Sequence, residues 1–258
     1  MNSRYSALAL LKAAMFPGGG TPAWTECEPK TRYDIVIVGG GGHGLATAYY
    51  LASNHGLRNV AVIERGWIGG GNTGRNTTVV RSNYLYPESA RLYDFSLKRY
   101  ETLGRDLNFN IMLSQRGLML LAHSRHDLET HARSANAMWM NGIDAELLSR
   151  EEVASRVPLL DVSAGARFPV LGGLNQRRAG TARHDAVAWG YARAAHSLGI
   201  DIVQNCEVKG FLKGGNGGVC GVDTTRGRIA AERVGIAAAG HSTVLAALAG
   251  FQDRKSVV

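Results

Sequence analysis

A chain of 258 residues can hold one large domain or two intertwined ones, and its 45% hydrophobic content supplies a sizeable core. The net charge of +8 arises from Lys and Arg scattered along the chain without a basic block, which argues for a solvated basic surface, an acidic partner or anionic ligands rather than nucleic acid. No stretch approaches the roughly 18 uninterrupted apolar residues of a membrane span, and the widely spaced Cys27, Cys206 and Cys220 fit neither a disulfide framework nor a metal knuckle and suit a reducing cytoplasm.

The segment Ala7 to Phe16 has a faint signal-like character, but Lys12 interrupts it and Gly18-Gly19-Gly20 follows without a cleavage site, so residues 1–31 read as an N-terminal arm. The apolar run Tyr33 to Val38 predicts a strand that enters Gly39-Gly40-Gly41-Gly42-His43-Gly44 and continues as a helix over Leu45 to Ala52. The spacing G-x-G-x-x-G falls on Gly39, Gly41 and Gly44: one turns the chain, one admits phosphates, and one lets helix and strand pack closely. Helix-start N–H groups would then face an anion. A second strand, Asn59 to Ile63, ends in Glu64, about 20 residues past Gly44, placed to accept from an unphosphorylated ribose hydroxyl as in FAD or NAD. The motif alone does not separate those two. A glycine-rich turn without a ligand is the competing reading, and the ordered strand, glycines, helix, strand and acid speak against it.

Gly66 to Asn83 is a loop too long for a plain connection, and its Gly69-Gly70-Gly71-Asn72-Thr73-Gly74-Arg75-Asn76-Thr77-Thr78 run offers close backbone approach, amide and hydroxyl donors, and a guanidinium suited to phosphate or an electron-rich ring. Next comes a predicted helix over Glu88 to Leu103, with Leu92, Phe95, Ser96, Arg99 and Leu103 on one side. Asn110 to Ala122 alternates and then becomes apolar at Leu118 to Leu121, which reads as a strand of a different sheet, Arg125 to Met140 reads as a helix capped near Asn141-Gly142, and Ser149-Arg150-Glu151-Glu152 as a capping box opening a short helix before Pro158. His184 to Leu198 predicts a helix with Val187, Tyr191, Ala192, Ala195 and Leu198 inward and Gly199 as its stop. A strand over Asp201 to Glu207, a Lys213 to Gly218 turn, paired strands over Gly221 to Thr225 and Arg228 to Ala231, and a buried strand Val234 to Gly240 complete the pattern. His123, His126 and His131 reach helical ligand spacing only in pairs without a completing carboxylate, so no metal is expected.

The runs Val38 to Ala52, Gly71 to Thr78 with Arg81-Ser82-Asn83-Tyr84, Ser114-Gln115-Arg116-Gly117, Arg183 to Trp189 and Ile202 to Val208 closely resemble the beta-subunit family of heterotetrameric sarcosine oxidases, over nearly the whole span from Thr21 to about Phe251. That family belongs to the D-amino acid oxidase-like flavoproteins. The resemblance implies an α/β fold: an FAD-binding Rossmann-like (GR2-type) domain over residues 32–107 and 181–258, with an inserted, incomplete α+β substrate domain over 108–180. It further implies oxidation of sarcosine at noncovalent FAD, with electrons passing to covalent FMN and then to oxygen, in company with alpha, gamma and delta subunits. NAD is expected on the alpha subunit. A cytoplasmic compartment, with no membrane or nucleic-acid partner, is expected.

By the same similarity FAD meets Gly39, Gly41, Gly42, His43 and Gly44 at its pyrophosphate, Glu64 and Arg65 at the adenosine end, and Asn72, Thr73, Arg75, Asn76 and Thr77 nearer the isoalloxazine. Val208 meets the adenine through its backbone, the Ala239-Gly240 turn closes over the dinucleotide, and His184 carries FMN. A histidine at a helix N-terminus is disfavoured as imidazolium by the dipole, which leaves a neutral nucleophilic ring; the plain alternative is a surface or capping histidine. His241 sits either by the flavin or simply in a turn. No catalytic residue is identified.

The chain departs from the family pattern at its end, where Gln252 to Val258 does not look like the family's continuation; a truncated or frameshifted product with poor solubility is the expectation. Two other functions compete with the sarcosine-oxidising subunit. One is a single-flavin amine or amino-acid oxidase, and the other is an inactive fragment that only binds FAD or a partner subunit. A nicotinamide dehydrogenase is disfavoured because nothing resembles a Tyr-x-x-x-Lys proton-transfer pair.

Overall fold

A computed structural model describes residues 7–16, 24–215 and 217–251. The Gly18-Gly19-Gly20 run, Asn216 and the Gln252 to Val258 tail lie outside the described residues. In chain order the first elements are α1 (Ala7–Met15), β1 (Arg32–Val38), α2 (Gly42–His55), β2 (Val60–Ile63), β3 (Val79–Val80), α3 (Pro87–Asp106), β4 (Leu118–Ala122), α4 (Arg125–Met140) and β5 (Glu146–Ser149). They are followed by α5 (Arg150–Arg156), β6 (Gly172–Gln176), β7 (Gly180–Thr181), α6 (His184–Ser197), β8 (Asp201–Val203), β9 (Val208–Lys213), β10 (Val219–Thr224), β11 (Gly227–Ile236) and α7 (Ser242–Ala249). No described helix is long and apolar enough to cross a membrane.

Two compact units emerge. One comprises the described residues up to Ile68 together with those from Ala192 onward, and the other spans Gly69–Tyr191, so α6 runs across the division. The sequence expectation drew the divisions at 107/108 and 180/181 instead. The segments 69–107 and 181–191, assigned from sequence to the dinucleotide-binding part, pack with the second unit.

In the first unit, one sheet has the order β8-β2-β1-β11-β10-β9. The strands β8, β2, β1 and β11 are parallel, and β10 and β9 continue antiparallel. Parallel strands covered on both faces need near-continuous apolar runs, and β2 obeys: Val60, Ala61, Val62 and Ile63 are all buried. Burying each of its larger side chains contributes about 1.5–3 kcal/mol. Helix α2 turns Leu45, Ala48 and Ala52 inward at helical spacing and ends at Gly56, whose left-handed conformation (φ 69°) brings its N–H to the Ala52 carbonyl at 3.1 Å.

Two predicted strands, Arg228 to Ala231 and Val234 to Gly240, are one continuous strand. β11 pairs antiparallel with β10 through Gly227 to Ala230 and parallel with β1 through Ala230 to Ile236, changing partner near Ala230. Its second half is not the buried run expected, since Val234 is half-buried and Gly235 exposed. The strand expected over Asp201 to Glu207 stops at Val203 because the chain turns there, with Asn205 in a left-handed conformation (φ 51°).

In the second unit, β4-β6-β5 form an antiparallel sheet and β3 pairs with β7. α4 opens on a capping box between Ser124 and Asp127, and α5 on the predicted one between Ser149 and Glu152. β6, Gly-Gly-Leu-Asn-Gln, is buried at every position and carries no strand signal because paired glycines weaken β propensity. The glycines are there for room: a Cβ on Gly172 would lie 2.6 Å from the Leu148 carbonyl oxygen and 3.0 Å from a Leu128 methyl. The predicted face of α3 is also corrected. Ala90, Leu97 and Leu103 are buried, whereas Leu92 and Phe95 are 63% and 58% exposed. The inner face instead carries Asp94 and Glu101, which hold Arg178, so an ionic contact outweighed the apolar pattern.

Candidate dinucleotide site

The first unit builds a glycine nest at the carboxyl ends of β1 and β2, beside the switch between parallel neighbours where open α/β sheets bind ligands. Gly39 leaves β1 with φ 117°, and its N–H donates to the Ile63 carbonyl at 2.9 Å. A Cβ here would lie 2.4 Å from the Ala237 carbonyl oxygen, so the turn tolerates glycine alone. Gly41 is the N-cap of α2 in an extended conformation, with no side-chain cap and no acidic residue in the first turn. The positive end of the helix dipole is thus left for an external anion. Gly44 packs so closely that a Cβ would meet the Gly39 carbonyl oxygen at 2.0 Å. His43 between them is exposed, and its carbonyl accepts the Thr47 hydroxyl.

Glu64 closes the nest. Its Oε2 accepts the Gly40 N–H at 2.7 Å and its Oε1 accepts the Gly66 N–H at 2.8 Å. The sequence suggested only a ribose-hydroxyl acceptor; the carboxylate is also a strut that ties the loop after β1 to the loop after β2. Each carboxylate oxygen has a second lone-pair direction, so a ribose hydroxyl can still be accepted. Exposed Arg65 lies with its Nη2 3.4 Å from His241 Nε2, just past Gly240. That pair is 176 residues apart, and no local signal announces it. The Ala239–His241 turn contains Ala239 at φ 48°, and the preceding Ala237 N–H donates to the Val38 carbonyl at 2.8 Å, anchoring the turn beside Gly39.

Val208 begins β9 and is buried. Two residues before it, the Cys206 N–H donates to the Glu64 carbonyl at 2.9 Å, while Asn205 N–H donates to the Gly66 carbonyl at 2.8 Å. The Gln204 to Val208 segment therefore runs along the loop after β2, and Gln204 Oε1 accepts the Ile68 N–H at 2.8 Å. Gln204 falls inside the Ile202 to Val208 run noted in the sequence, but only Val208 of that run was given a role there. All three cysteines are free thiols.

The remaining predicted residues lie in the second unit. Asn72, Thr73 and Arg75 fall in one short 3-10 turn, Asn72–Arg75, and Asn76 donates its side-chain amide to the Thr73 carbonyl at 2.8 Å. Asn76 Oδ1 accepts the Thr78 N–H at 2.7 Å, past exposed Thr77. Thr78 in turn accepts the Ala182 N–H at 3.0 Å, which brings the loop beside the start of α6. There His184 is half-buried, with its Nδ1 buried and lacking a hydrogen-bond partner among the described residues. Its neighbour Asp185 is engaged elsewhere: two hydrogen bonds from Arg183, at 3.0 and 2.6 Å, hold its carboxyl below the usual carboxylate range.

The nest has the donor set of a dinucleotide diphosphate site: an uncapped helix start, glycines that keep side chains away from it, and a carboxylate at the second strand. A family model described as FAD dependent oxidoreductase (DAO) matches residues 34–258. The chain is 52% identical over 250 residues to sarcosine oxidase subunit beta of Rhodobacter capsulatus, covering 96% of this chain and 60% of that protein. With sarcosine oxidase subunit beta of an Arthrobacter species the identity is 55% over 229 residues, covering 89% and 56%. The chain thus spans about three-fifths of the length of these curated relatives. Among solved structures it is similar to L-proline dehydrogenase from P. horikoshii (TM-score 0.80, 27% identity, covering 88% of this chain and 58% of that one). It is also similar to glycine oxidase from Geobacillus kaustophilus (TM-score 0.77, 26% identity, covering 86% and 60%).

Proposed function

The chain belongs to the FAD-dependent oxidoreductase family, and on that premise we propose that it is the FAD-binding subunit of a sarcosine-oxidising enzyme. The observation that carries this reading is identity above one half to sarcosine oxidase beta subunits across nearly the whole chain, with the glycine nest and Glu64 inside the residues that the family model matches. Gly39, Gly41, Gly42, His43 and Gly44 would hold the diphosphate and Glu64 and Arg65 the adenosine end, with Val208 and Gly240 flanking it. Asn72, Thr73, Arg75, Asn76 and Thr77 would serve the flavin end. When bound, FAD supplies the two-electron acceptor for oxidation of an N-methyl amine to an imine. The chain's own part is to bind and orient: backbone N–H groups neutralise the diphosphate, and the Glu64 strut keeps both loops in register for it.

We further propose that His184 holds FMN covalently, from which electrons reach oxygen. Its buried Nδ1, without a hydrogen-bond partner among the described residues, supports this, because a ring nitrogen not engaged in a hydrogen bond is available as a nucleophile. Alpha, gamma and delta subunits, with NAD on the alpha subunit, and a cytoplasmic setting complete the proposal.

Two measurements test it. Purified chain given excess FAD should turn yellow and release binding heat; colourless protein with no heat would sink the reading. Co-expression with a candidate alpha subunit should yield a peptide bearing FMN at His184, absent in His184→Ala, and an unmodified peptide in a flavin-replete, active complex would exclude the attachment. A second reading, binding of FAD or a partner without turnover, follows from the lack of any assigned catalytic residue. Anaerobic flavin bleaching by sarcosine distinguishes the two.

A further inference from the structure

In the second unit, a cleft of about 480 Å³ opens on the strand-end side of β4 and β6. Arg116, Arg156 and Arg177 line it together with Asn175, over apolar Met119 and Val157. Among the described residues one carboxylate pairs with these guanidinium groups: Glu146 accepts from Arg156 Nη1 at 2.6 Å and from Asn175 Nδ2 at 3.0 Å, and it pairs with Arg177 Nε. Burial pushes the Glu146 carboxyl up, but Asn175, Arg156 and Arg177 together hold it below its usual range. It therefore stays charged and stations two arginines at the rim. Arg116 is fixed differently: its Nε donates to Ser114 Oγ at 3.1 Å, and among the described residues no carboxylate pairs with it. The cleft thus has a surplus of positive charge, and its guanidinium forks are held by neutral or shared partners.

Side chains with this much like charge around one concavity repel each other unless an anion relieves them. Guanidinium forks match carboxylate and phosphate oxygens in pairs. Asn175, only 6% exposed, is part of β6 and packs its amide oxygen where a Cβ on Gly117 (φ 85°) would sit 3.1 Å away, so the wall is rigid. We propose that this cleft binds a small organic anion bearing at least two carboxylate or phosphate charges. Arg116 and Arg177 grip the anion, and Glu146 acts as the built-in counter-ion that sets affinity. All residues involved lie in the second unit, whereas the glycine nest belongs to the first.

Calorimetric titrations of the purified chain with inorganic phosphate and with succinate, at matched ionic strength and with or without excess FAD, test it. The expected result is saturable binding of at least one probe that FAD does not displace; phosphate held at the nest would be displaced. Arg116→Ala/Arg177→Ala, both on exposed side chains, should weaken that binding roughly tenfold or more, and Glu146→Gln should strengthen it severalfold. The tighter of the two probes identifies the headgroup. Binding of neither probe, binding that FAD abolishes, or equal affinity in wild type and the double-arginine variant overturns the proposal; none of them counts against FAD binding at the nest, and displacement by FAD would place the probe there instead.

Discussion

Glu64 and Gly40 are joined by a 2.7 Å hydrogen bond from the Gly40 N–H to Oε2, so the acid at the end of β2 supports the nest from below while Oε1 holds Gly66. Glu64→Gln keeps one acceptor but turns an NH2 toward a backbone N–H. The expected cost is about 2 kcal/mol of stability, the value of one hydrogen bond to a charged acceptor, together with weaker FAD binding. Thermal melts and flavin titration check it; a variant as stable as wild type with undiminished FAD affinity would show that the strut carries no weight.

Gly44→Ala places a methyl group where the Gly39 carbonyl oxygen stands 2.0 Å away, and α2 must retreat from β1. A loss of about 3 kcal/mol and of FAD binding is expected. Gly56→Ala is the control. It has open space but a left-handed φ of 69°, so it should cost about 1 kcal/mol and leave FAD affinity unchanged. Equal effects on FAD affinity from both variants would contradict the packing argument.

The Tyr33 hydroxyl is buried, donates to Asp201 Oδ2 at 2.9 Å and accepts the Lys30 N–H at 2.9 Å. Burial pushes its pKa well above the ordinary tyrosine value, and the adjoining Asp201 carboxylate adds to this. A raised folded pKa means stability that is fully present below the unfolded value of about 10 and lost as pH rises beyond it. Tyr33→Phe should therefore cost about 1 kcal/mol at neutral pH. Above pH 10 it should lose stability less steeply than wild type, by about 1.4 kcal/mol per pH unit. Denaturant unfolding at pH 7 and through pH 10–11 measures both, and parallel curves would refute the assignment.

Arg178 grips Glu101 through two hydrogen bonds, at 3.0 and 2.9 Å, which hold the Glu101 carboxyl below its usual range. With a depressed folded pKa, the contribution is present above the unfolded value of about 4.3 and disappears as pH falls through the lower folded one. Partial exposure screens the pair, so Glu101→Gln should cost about 1 kcal/mol at pH 7 and almost nothing near pH 2. A pH-independent difference between the two melting curves would refute the ionic origin.

Where the signal is local, it was legible. The β1–α2–β2 unit, its glycine spacing and the Ser149/Glu152 cap depend on residues within a few turns of each other, and the structure has them where the pattern predicts. β6 was not legible, because its Gly-Gly opening is explained only by the carbonyl of Leu148 and the methyl of Leu128 that press on it. The inner face of α3 was hidden for a similar reason: Asp94 and Glu101 look like solvent-facing acids until Arg178 arrives from a distant segment.

By itself, the order of residues determined that a glycine nest follows a buried strand and that an acid ends the next one, since backbone conformation and apolar periodicity act over short separations. Only the tertiary structure decided that this acid braces Gly40 and Gly66, that β11 exchanges β10 for β1 midway along its length, and that Arg65 meets His241. Those outcomes rest on hydrogen bonds and packing between segments far apart in the chain, whose partners exist for one another only once the sheet has formed.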